Sequence, residues 1–572
     1  MLLSGCMRRL LLAAFAAALA APIPASAAEP IMPLADVQPG AACTGRTVVR
    51  GTTISSFGVE VLDVIDRQRP EAARILIRVS GPAIATGLGP GFSGSPIFCP
   101  DAAGVARNIG AISTGIGEYG GAVGLATPIE TILAEPILPP TSARRSLARS
   151  EVIGGRSLAG PLTLSGLNPG LSTMFARAAR RAGGRLLTSP ASARAVAHPP
   201  QPLVPGAAVS VGLTSGDVNL GAIGTVAHAD GDAVWLFGHS LDGAGRRSLF
   251  LEDAFIHTVV SNPVGAPELS TYKLGSPGND LGTVTSDGLN AVAGRLGALP
   301  PNFPLKVTAR DLDTGRVRVL NTRVADEGDV GRPAGPSVLG LAGAAIVAEA
   351  AARVLSGAPA RQTAEMCVAI TLRELKRPVR YCQRYGVEGS GANPLAGALA
   401  NDIASAAEQI DGYRFGVLHP TNVEIGLRLR RGLRQAVLVG ADGPRRARRG
   451  RTVALRLSLR RTVTGVRFTR TIRLRIPRDT RPGQRTIKLT GTDADAGSSP
   501  EGDGGLSVLF EDDGPVEEQP EAESVEEVRA AIEGLERYDG VTASIGANEV
   551  QAYRDPDLRI SGDARVTVQV RR

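Results

Sequence analysis

Residues 89–98, with the sequence GPGFSGSPIF, carry the side chain best placed for nucleophilic chemistry. Ser93 stands between glycines, and glycine allows the positive φ angles and close backbone approach that a tight turn needs. Backbone N–H groups in such a turn can converge beside the serine hydroxyl, which is the geometry of an oxyanion hole. Gly-Ser turns are also common as plain surface turns, so the spacing alone leaves both interpretations open.

Five histidines are available as a base toward this serine. His239 ends the strand-like segment WLFGH, and a histidine placed there after a glycine can project into a cleft. His228 and His257 lie inside strand patterns, His198 lies in a proline-rich stretch, and His419 precedes a proline. No spacing of His, Cys and Asp resembles a zinc site, and no glycine cluster has a phosphate-binding context. We therefore expect no metal and no cofactor.

The composition predicts a mainly β, multidomain protein. The 572 residues suffice for roughly three to four domains of about 150 residues each. Aromatic residues are only 3% of the chain while hydrophobic residues reach 43%, so the cores must be built from Val, Leu, Ile and Ala. The 70 glycines and 40 prolines punctuate short apolar runs, which is typical of strands joined by turns.

Turn signals and shifts in composition divide the chain into seven segments. They are a signal peptide at 1–27, a serine-bearing β module at 35–140, a helix and Pro/Ala linker at 141–205, a histidine-bearing β module at 206–310, an α+β segment with a hairpin and helices at 311–420, a basic β-sandwich of Ig-like type at 421–490, and an acidic linker with a C-terminal helix and strand tail at 491–572.

The N-terminus has the pattern of a secretory signal. Two arginines precede an apolar run at 10–21 that is too short to span a bilayer, and the ASA sequence at 25–27 fits a cleavage site. Met7 is an alternative start. We see no transmembrane segment after cleavage, because the apolar stretch 338–355 contains Glu349 and Arg353 and suits a packed helix. The predicted location is secreted or associated with the cell envelope.

Four cysteines remain after cleavage, and an even number in an exported chain suggests disulfides. Three connectivities are possible. Proximity favours Cys43–Cys99 within one module and Cys367–Cys382 across a hairpin, with free buried thiols as the alternative.

Charge is separated along the C-terminal part of the chain. From 423 to 489 apolar residues alternate with arginines, which predicts a sheet with one basic face. From 493 to 539 sixteen acidic residues stand against two arginines. The basic face could bind an anionic polymer of the cell envelope, or it could bind the acidic run of its own chain. Nucleic acid is not the expected partner, because no aromatic residues interleave the arginines.

The two β modules together resemble the SpoIVB peptidase family, a family of serine endopeptidases. The resemblance covers roughly residues 35–305. The serine-bearing part matches through VQPG at 37–40, FGVEV at 57–61, GFSGSPI at 91–97 and ATPIE at 126–130, and the histidine-bearing part through FGH at 237–239, KLGSPG at 273–278 and GTVT at 282–285. The family is thought to be related to the chymotrypsin-like proteases, so the resemblance implies two chymotrypsin-like β-barrel modules.

The resemblance also implies roles for individual residues. Ser93 would be the nucleophile, His239 the general base, and the N–H groups of Gly91 and Ser93 the oxyanion donors, acting on a protein or peptide substrate. One departure is the order of the modules, because the family's histidine part precedes its serine part. A catalytic triad is a spatial object that recurs in several chain orders, so this order does not forbid activity.

The second departure concerns the acid that would orient His239. The family has an acidic residue followed by proline shortly before the serine block, and this chain has Gly81 there. Asp287 is the substitute we favour, with Asp242 and Asp253 as alternatives. The sequence therefore predicts a secreted serine endopeptidase, and a catalytically inactive peptidase-like scaffold or binding protein is the alternative.

Overall fold

The computed structural model describes residues 29–69, 71–117, 120–139, 155–157, 162–181, 186–189, 198–261, 271–331, 337–355, 359–388, 394–491, 522–535, 540–546, 548–555 and 558–571. Strands make up 53% of the residues and helices 16%, so the predicted mainly β fold is confirmed. The predicted signal peptide at 1–27 lies outside the described residues.

The first module is a closed barrel of six antiparallel strands. After a 3₁₀ turn at Leu34–Asp36, its elements are β1 (Ala42–Val48), β2 (Ile54–Ile65), β3 (Arg74–Ser80), a 3₁₀ turn (Pro82–Ile84), β4 (Pro96–Pro100), β5 (Ala106–Ile116), β6 (Val123–Pro128), the helix α1 (Ile129–Leu133) and an added edge strand β7 (Gly155–Ser157). The order around the ring is β1-β2-β3-β6-β5-β4, and it closes because β4 pairs with both β5 and β1. Alternation explains the strands: in β3 Ile75 and Ile77 are buried while Arg78 is exposed.

Two disulfides are present, with the predicted pairings. Cys43–Cys99 joins β1 to β4 within the barrel. Cys367–Cys382 joins the two strands of the predicted hairpin. Both bonds are consistent with an extracellular protein.

The second module is a curled, eight-stranded sheet. Its elements are β8 (Leu162–Ser165), α2 (Pro169–Arg181), β9 (Leu186–Ser189), β10 (Ala208–Gly212), β12 (Asn219–Asp230), β13 (Ala233–Leu236), β14 (Gly245–Ser261), β15 (Thr271–Asp287) and β16 (Val292–Leu296), while the short β11 (Thr214–Gly216) joins the next sheet. The order is β10-β14-β15-β16-β13-β12-β8-β9, and β10 also pairs with β12. The sheet therefore curls until its first strand meets its sixth.

A six-stranded sheet with two helices follows. Its elements are β17 (Asn302–Asp311), β18 (Val317–Ala325), a 3₁₀ turn (Gly328–Val330), α3 (Val338–Leu355), β19 (Arg361–Leu372), β20 (Val379–Glu388), α4 (Pro394–Asp411) and β21 (Pro420–Arg431). The order is β11-β18-β17-β21-β19-β20, with β17 and β21 parallel. Within the described ranges, α3 is the one helix long and apolar enough to cross a membrane, and it lies largely buried against α4 and β17. A Cβ on Gly343 would lie 2.4 Å from Ile403, so this glycine lets the helices approach closely.

The C-terminal part is a β-sandwich with one shared hydrophobic core. Its strands are β22 (Gln435–Asp442), β23 (Arg446–Arg448), β24 (Thr452–Arg461), β25 (Arg467–Arg475), β26 (Gly483–Gly491), β27 (Gly540–Ile545), β28 (Asn548–Arg554), β29 (Arg559–Ser561) and β30 (Asp563–Arg571). The helix α5 (Val525–Gly534), between β26 and β27 in sequence, packs against β20 and α4 of the preceding sheet instead. One sheet has the order β25-β24-β22-β29 and the other β23-β30-β26-β27-β28. In β24, Leu455 and Leu457 are fully buried and Arg456 is exposed.

The sandwich boundaries differ from the predicted 421–490. β21 belongs to the preceding sheet, where it pairs with β17 and β19. The segment predicted as a tail supplies β27 to β30 to the two sandwich sheets. Alternation identifies a strand but not its partners, so the sequence pattern alone could not assign these strands to sheets.

Candidate active site

The turn that carries Ser93 is buried at the junction of the two β modules. Ser93 is only 2% exposed. Gly91 and Gly94 have φ angles of +93° and +86°, in the left-handed region that glycine adopts without steric cost. The Phe92 N–H closes the first half of the turn by donating to the Gly89 carbonyl at 3.1 Å. The glycines predicted to shape this turn therefore do so through their backbone angles.

Two N–H groups of this turn have no acceptor. Between residues 90 and 95, Gly91 and Ser93 donate to no group within the part of the chain that the structure describes. The other N–H groups of this stretch donate to backbone carbonyls: Phe92 to Gly89, Gly94 to Ile112 and Ser95 to Phe92. Unpaired N–H groups in a buried segment are rare because each one costs free energy. The two free donors are the pair predicted to bind an oxyanion.

Contact with the second module explains why this turn needs glycine. A Cβ on Gly94 would lie 1.9 Å from the Thr225 carbonyl oxygen, and a Cβ on Gly91 would lie 2.8 Å from the Lys273 Cβ. The Thr225 N–H donates to the Ser93 carbonyl at 2.9 Å. The serine turn of the first barrel thus packs directly on strands β12 and β15 of the second module.

His239 follows β13 in an unusual backbone conformation. Phe237 and Gly238 have φ angles of +67° and +68°, and a phenylalanine in the left-handed region is strained. The Gly238 carbonyl accepts a hydrogen bond of 2.6 Å from the Thr127 hydroxyl, at the end of β6. The rings of Phe237 and His239 stack with centroids 5.7 Å apart. These contacts hold the histidine segment against the first barrel.

The His239 imidazole is held in one tautomer. Its Nδ1 lies 2.6 Å from the Ser240 carbonyl oxygen, and because a carbonyl only accepts, Nδ1 carries the hydrogen. Its Nε2 is buried and has no hydrogen-bond partner within the part of the chain that the structure describes. Burial lowers the pKa of His239 to about 4, and Arg74 adds to the lowering while the Ser240 contact opposes it. The ring is therefore neutral at pH 7 with a free lone pair on Nε2, the state that a general base needs.

The structure brings the segments of Ser93 and His239 together without bonding their side chains. Thr225 donates its N–H to the Ser93 carbonyl, and its own carbonyl accepts from the Phe237 N–H at 3.3 Å. Phe237 is two residues before His239. Over the described ranges, no hydrogen bond joins the Ser93 hydroxyl to His239. Catalytic hydrogen bonds are often long in a substrate-free enzyme and tighten when substrate binds.

Asp287 bonds the loop that follows His239 in sequence and not the imidazole itself. Among the described contacts, Asp287 forms no hydrogen bond with the His239 imidazole. The Nδ1 atom of that imidazole bonds the Ser240 carbonyl instead. The Asp287 carboxylate accepts from four consecutive N–H groups in the loop after the histidine, those of Leu241, Asp242, Gly243 and Ala244, at 2.6–3.1 Å. Burial and the neighbouring Asp242 raise the pKa of Asp287 to about 7, against the lowering effect of Arg247. Asp287 therefore orders the loop that positions His239.

The two alternative carboxylates also have other partners. Asp242 accepts a 2.7 Å bond from Arg247. Asp253 accepts from the backbone N–H groups of Gln201 and Asn279, at 2.8 and 2.6 Å. Neither forms a described hydrogen bond with His239.

The remaining histidines lie in other surroundings. His257 lies 2.9 Å from the Ser276 hydroxyl, and His419 lies 2.8 Å from the Asp326 carboxylate. Among the described residues, no group of three or more His, Cys, Asp and Glu side chains could hold a metal ion.

Sequence patterns assigned no role to Lys273, which the structure places directly under the serine turn. Its side chain is buried, with Nζ 2.6 Å from the Thr47 hydroxyl and 3.1 Å from the Thr225 hydroxyl. Burial lowers the pKa of Lys273 to about 7. A signal was present in the composition, because the chain has only four lysines beside 59 arginines. A lysine inside a glycine-rich strand of such a chain is unusual.

No family model, curated protein or solved structure matches this chain.

Proposed function

We propose that this chain is a secreted serine endopeptidase with Ser93 as the nucleophile and His239 as the general base. The observation that carries the proposal is the pair of free N–H groups, on Gly91 and Ser93, in the buried turn of the serine. An oxyanion hole requires such unpaired backbone donors beside the nucleophile, and a neutral histidine whose Nε2 has no partner among the described residues lies on the adjoining segment.

The proposed reaction begins when the Ser93 Oγ bonds to the scissile carbonyl carbon while His239 Nε2 takes the hydroxyl proton. The oxygen of the tetrahedral intermediate accepts hydrogen bonds from the Gly91 and Ser93 N–H groups. The C–N bond then breaks, and the leaving amine takes the proton from His239. Water attacks the acyl-enzyme with Nε2 as base, which releases the acid and restores the serine.

The orienting group for His239 is a backbone carbonyl instead of a carboxylate. The Ser240 carbonyl fixes the tautomer, as an aspartate would, but it brings no full negative charge to stabilise the imidazolium. In a Ser-His-Asp triad, replacing the aspartate by asparagine costs about 10⁴ in kcat. We therefore expect turnover to be slow compared with a complete triad.

The resemblance to the SpoIVB peptidase family supports the same assignment of Ser93 and His239. A closed six-stranded barrel is compatible with the chymotrypsin-like modules that this resemblance implies. The two packed sheets at the C-terminus likewise support an Ig-like type for the sandwich. Export through an N-terminal signal peptide agrees with the two disulfides.

Replacement of Ser93 tests the proposal. We expect the purified wild-type protein to cleave casein and to react with a fluorophosphonate probe at Ser93. Ser93→Ala should abolish both reactions, while Ser80→Ala, which changes an exposed serine of the same barrel, should leave them unchanged. Cleavage by Ser93→Ala at the wild-type rate would show that the nucleophile is wrong. A wild-type protein that neither cleaves nor reacts would favour the inactive scaffold or binding protein instead.

We propose an anionic polymer of the cell envelope as a partner of the sandwich. The outer face of β24 and β25 carries exposed arginines without a described acidic partner: Arg456, Arg460, Arg467, Arg473 and Arg475. Arg460 and Arg467 lie directly opposite each other in the two strands, an arrangement that destabilises a sheet. Because this pair does not stabilise the sheet, we infer that it binds an anion from outside the chain.

The acidic run of the chain is the competing occupant of this face. Residues 492–521 lie outside the described residues. The next part, α5, packs against β20 and α4 through Val528 and Ile532, away from β24 and β25. Binding of polyphosphate or teichoic-acid-like polymer should weaken steeply as salt rises, because exposed charges are screened. Arg460→Ser with Arg467→Ser should weaken it further, and binding that ignores salt would contradict this proposal.

A further inference from the structure

A buried polar cluster under the serine turn takes no part in the reaction described above. It consists of the Lys273 amino group and three hydroxyls, those of Thr47, Thr225 and Ser95. The three hydroxyl residues are fully buried and Lys273 is 4% exposed. Thr47 and Ser95 belong to the first barrel, and Thr225 and Lys273 to the second module. The cluster therefore bridges the two modules at the base of the turn.

One arm of the cluster leads to the peptide that contains the Ser93 N–H. Lys273 Nζ lies 2.6 Å from Thr47 Oγ1, and Thr47 Oγ1 lies 3.0 Å from Ser95 Oγ. Ser95 Oγ lies 2.7 Å from the Phe92 carbonyl oxygen. A hydroxyl donates only one hydrogen, so when Ser95 donates to the Phe92 carbonyl, Thr47 donates to Ser95 and accepts from Lys273.

A second arm leads to Gly91 and its neighbour. Lys273 Nζ lies 3.1 Å from Thr225 Oγ1, which donates to the Gly91 carbonyl at 3.2 Å. The backbone N–H of Lys273 donates to the Pro90 carbonyl at 2.9 Å. Three consecutive carbonyls of the turn are thus hydrogen-bonded within this cluster. The Lys273 backbone N–H holds that of residue 90, the Thr225 hydroxyl that of residue 91, and the Ser95 hydroxyl that of residue 92.

These contacts act on the oxyanion donors through the peptide planes. The Phe92 carbonyl and the Ser93 N–H belong to one planar peptide unit, and so do the Pro90 carbonyl and the Gly91 N–H. A hydrogen bond that fixes the carbonyl therefore fixes the direction of the N–H on the opposite side. Hydrogen bonds in a chain also polarise one another in a buried setting.

Lys273 has no carboxylate partner in the described part of the chain, which makes its burial costly. The described partners of its Nζ are two threonine hydroxyls and, through a cation–π contact, the Phe92 ring, whose centroid lies 4.8 Å from Nζ. An apolar side chain would fill the same space without the desolvation cost. The retained amino group points to a role that an apolar residue cannot fill.

We propose that Lys273 is a positioning residue: through Thr47 and Ser95 its amino group holds the Ser93 N–H, and through the Pro90 carbonyl its backbone N–H holds the Gly91 N–H, in the orientation that binds an oxyanion. This inference rests on the proposed function and adds the group that supports its oxyanion hole. Among the described contacts, Lys273 Nζ bonds Thr47 and Thr225 and not the Ser93 hydroxyl, and in our scheme it does not bind the substrate.

Lys273→Met tests the inference, because methionine fills a similar volume without a donor. We expect kcat to fall by about 10- to 100-fold, less than the full loss of one oxyanion donor, with KM within about twofold of wild type. Hydrogen exchange measured by mass spectrometry should become faster in the peptide covering 89–95. Lys306→Met, an exposed lysine of β17, is the matched control and should change neither quantity.

Two smaller changes keep the test decisive if Lys273→Met folds poorly. Thr47→Val removes the hydroxyl that links Lys273 to Ser95 at nearly constant shape, and it should lower kcat with little change in KM. Thr225→Val removes a hydroxyl that holds the Gly91–Phe92 peptide unit, which carries neither donor, and should lower kcat less. Thr47→Ser keeps the hydroxyl and should retain the wild-type kcat. A kcat within about twofold of wild type in folded Lys273→Met, or unchanged exchange at 89–95, overturns the inference.

The exchange measurement separates this inference from the proposed function. If wild-type protein has no Ser93-dependent activity but Lys273→Met loosens 89–95, the positioning role stands and the peptidase proposal fails. If wild-type activity depends on Ser93 but the lysine and threonine variants match wild type, only the positioning role fails.

Discussion

The Thr225 N–H donates a hydrogen bond of 2.9 Å to the Ser93 carbonyl, and it does so across the boundary between the two β modules. The same residue accepts from the Phe237 N–H, close to His239. The candidate site is therefore an interface, with the serine from one module and strands β12 and β15 and the histidine from the other. Changes on either side of it should alter the same chemistry.

His239→Gln should lower kcat by about 10³-fold or more, because the variant has no group that takes the serine proton. KM should change little, since no substrate contact is removed. Steady-state cleavage of a peptide amide measures both quantities. His257→Gln, which changes a half-exposed histidine of β14, is the control and should stay near wild type. A His239→Gln enzyme within tenfold of wild type would exclude His239 as the base.

The pH dependence of kcat/KM should show an acid limb near pH 4. Burial lowers the pKa of His239 to about 4, so Nε2 stays free down to that pH and becomes protonated below it. The rate should be flat from pH 5 to 7 with respect to this group and fall tenfold per pH unit below its pKa. An unperturbed histidine would place the limb at about 6.5. Rates between pH 3 and 8, with circular dichroism to monitor folding, distinguish the two values.

Asp287→Asn should lower kcat by about 10- to 100-fold, well short of the roughly 10⁴ expected when a triad aspartate is replaced. The carboxylate accepts four N–H bonds from the loop 241–244, and an amide can satisfy only part of that set. Hydrogen exchange in this loop should increase in parallel. Asp232→Asn, an exposed residue paired with Arg295, is the control. A loss near 10⁴ would indicate that Asp287 contacts the imidazole directly during catalysis.

Removing the Cys43–Cys99 disulfide should destabilise the protein more than removing Cys367–Cys382. The two bonds span sequence separations of 56 and 15. On the chain-entropy estimate they contribute about 4 and about 3 kcal/mol, respectively. Paired Cys→Ala variants unfolded in urea would show the order as a larger drop in midpoint for the first pair. Equal midpoints, or the opposite order, would contradict the loop-length argument.

The parts of the fold that follow from local pattern could be predicted, and those that depend on distant partners could not. The alternation in β3 and the proximity of Cys43 to Cys99 lie within short stretches of sequence. The parallel pairing of β21 with β17 joins strands that are separated in sequence by three strands and two α-helices, and no local signal encodes it. The Nδ1 partner of His239 is its own neighbour Ser240, a choice set by the side-chain rotamer. The role of Lys273 depends on two modules meeting.

The hydrogen bond between Thr47 and Lys273 joins residues 226 positions apart. During synthesis, the pairings of the first barrel are complete once residue 128 has emerged, but strands β12 and β15 under its serine turn are not. Until β12 and β15 are finished, Gly94 and Gly91 lack the residues of the second module against which they pack, and the Pro90 and Gly91 carbonyls lack their partners there. Because the serine module comes first in the chain, Ser93 is synthesised well before the strands β12 and β15 that complete its site. A fragment limited to the first barrel would carry the nucleophile without its general base, so such proteolytic fragments should be harmless to their surroundings.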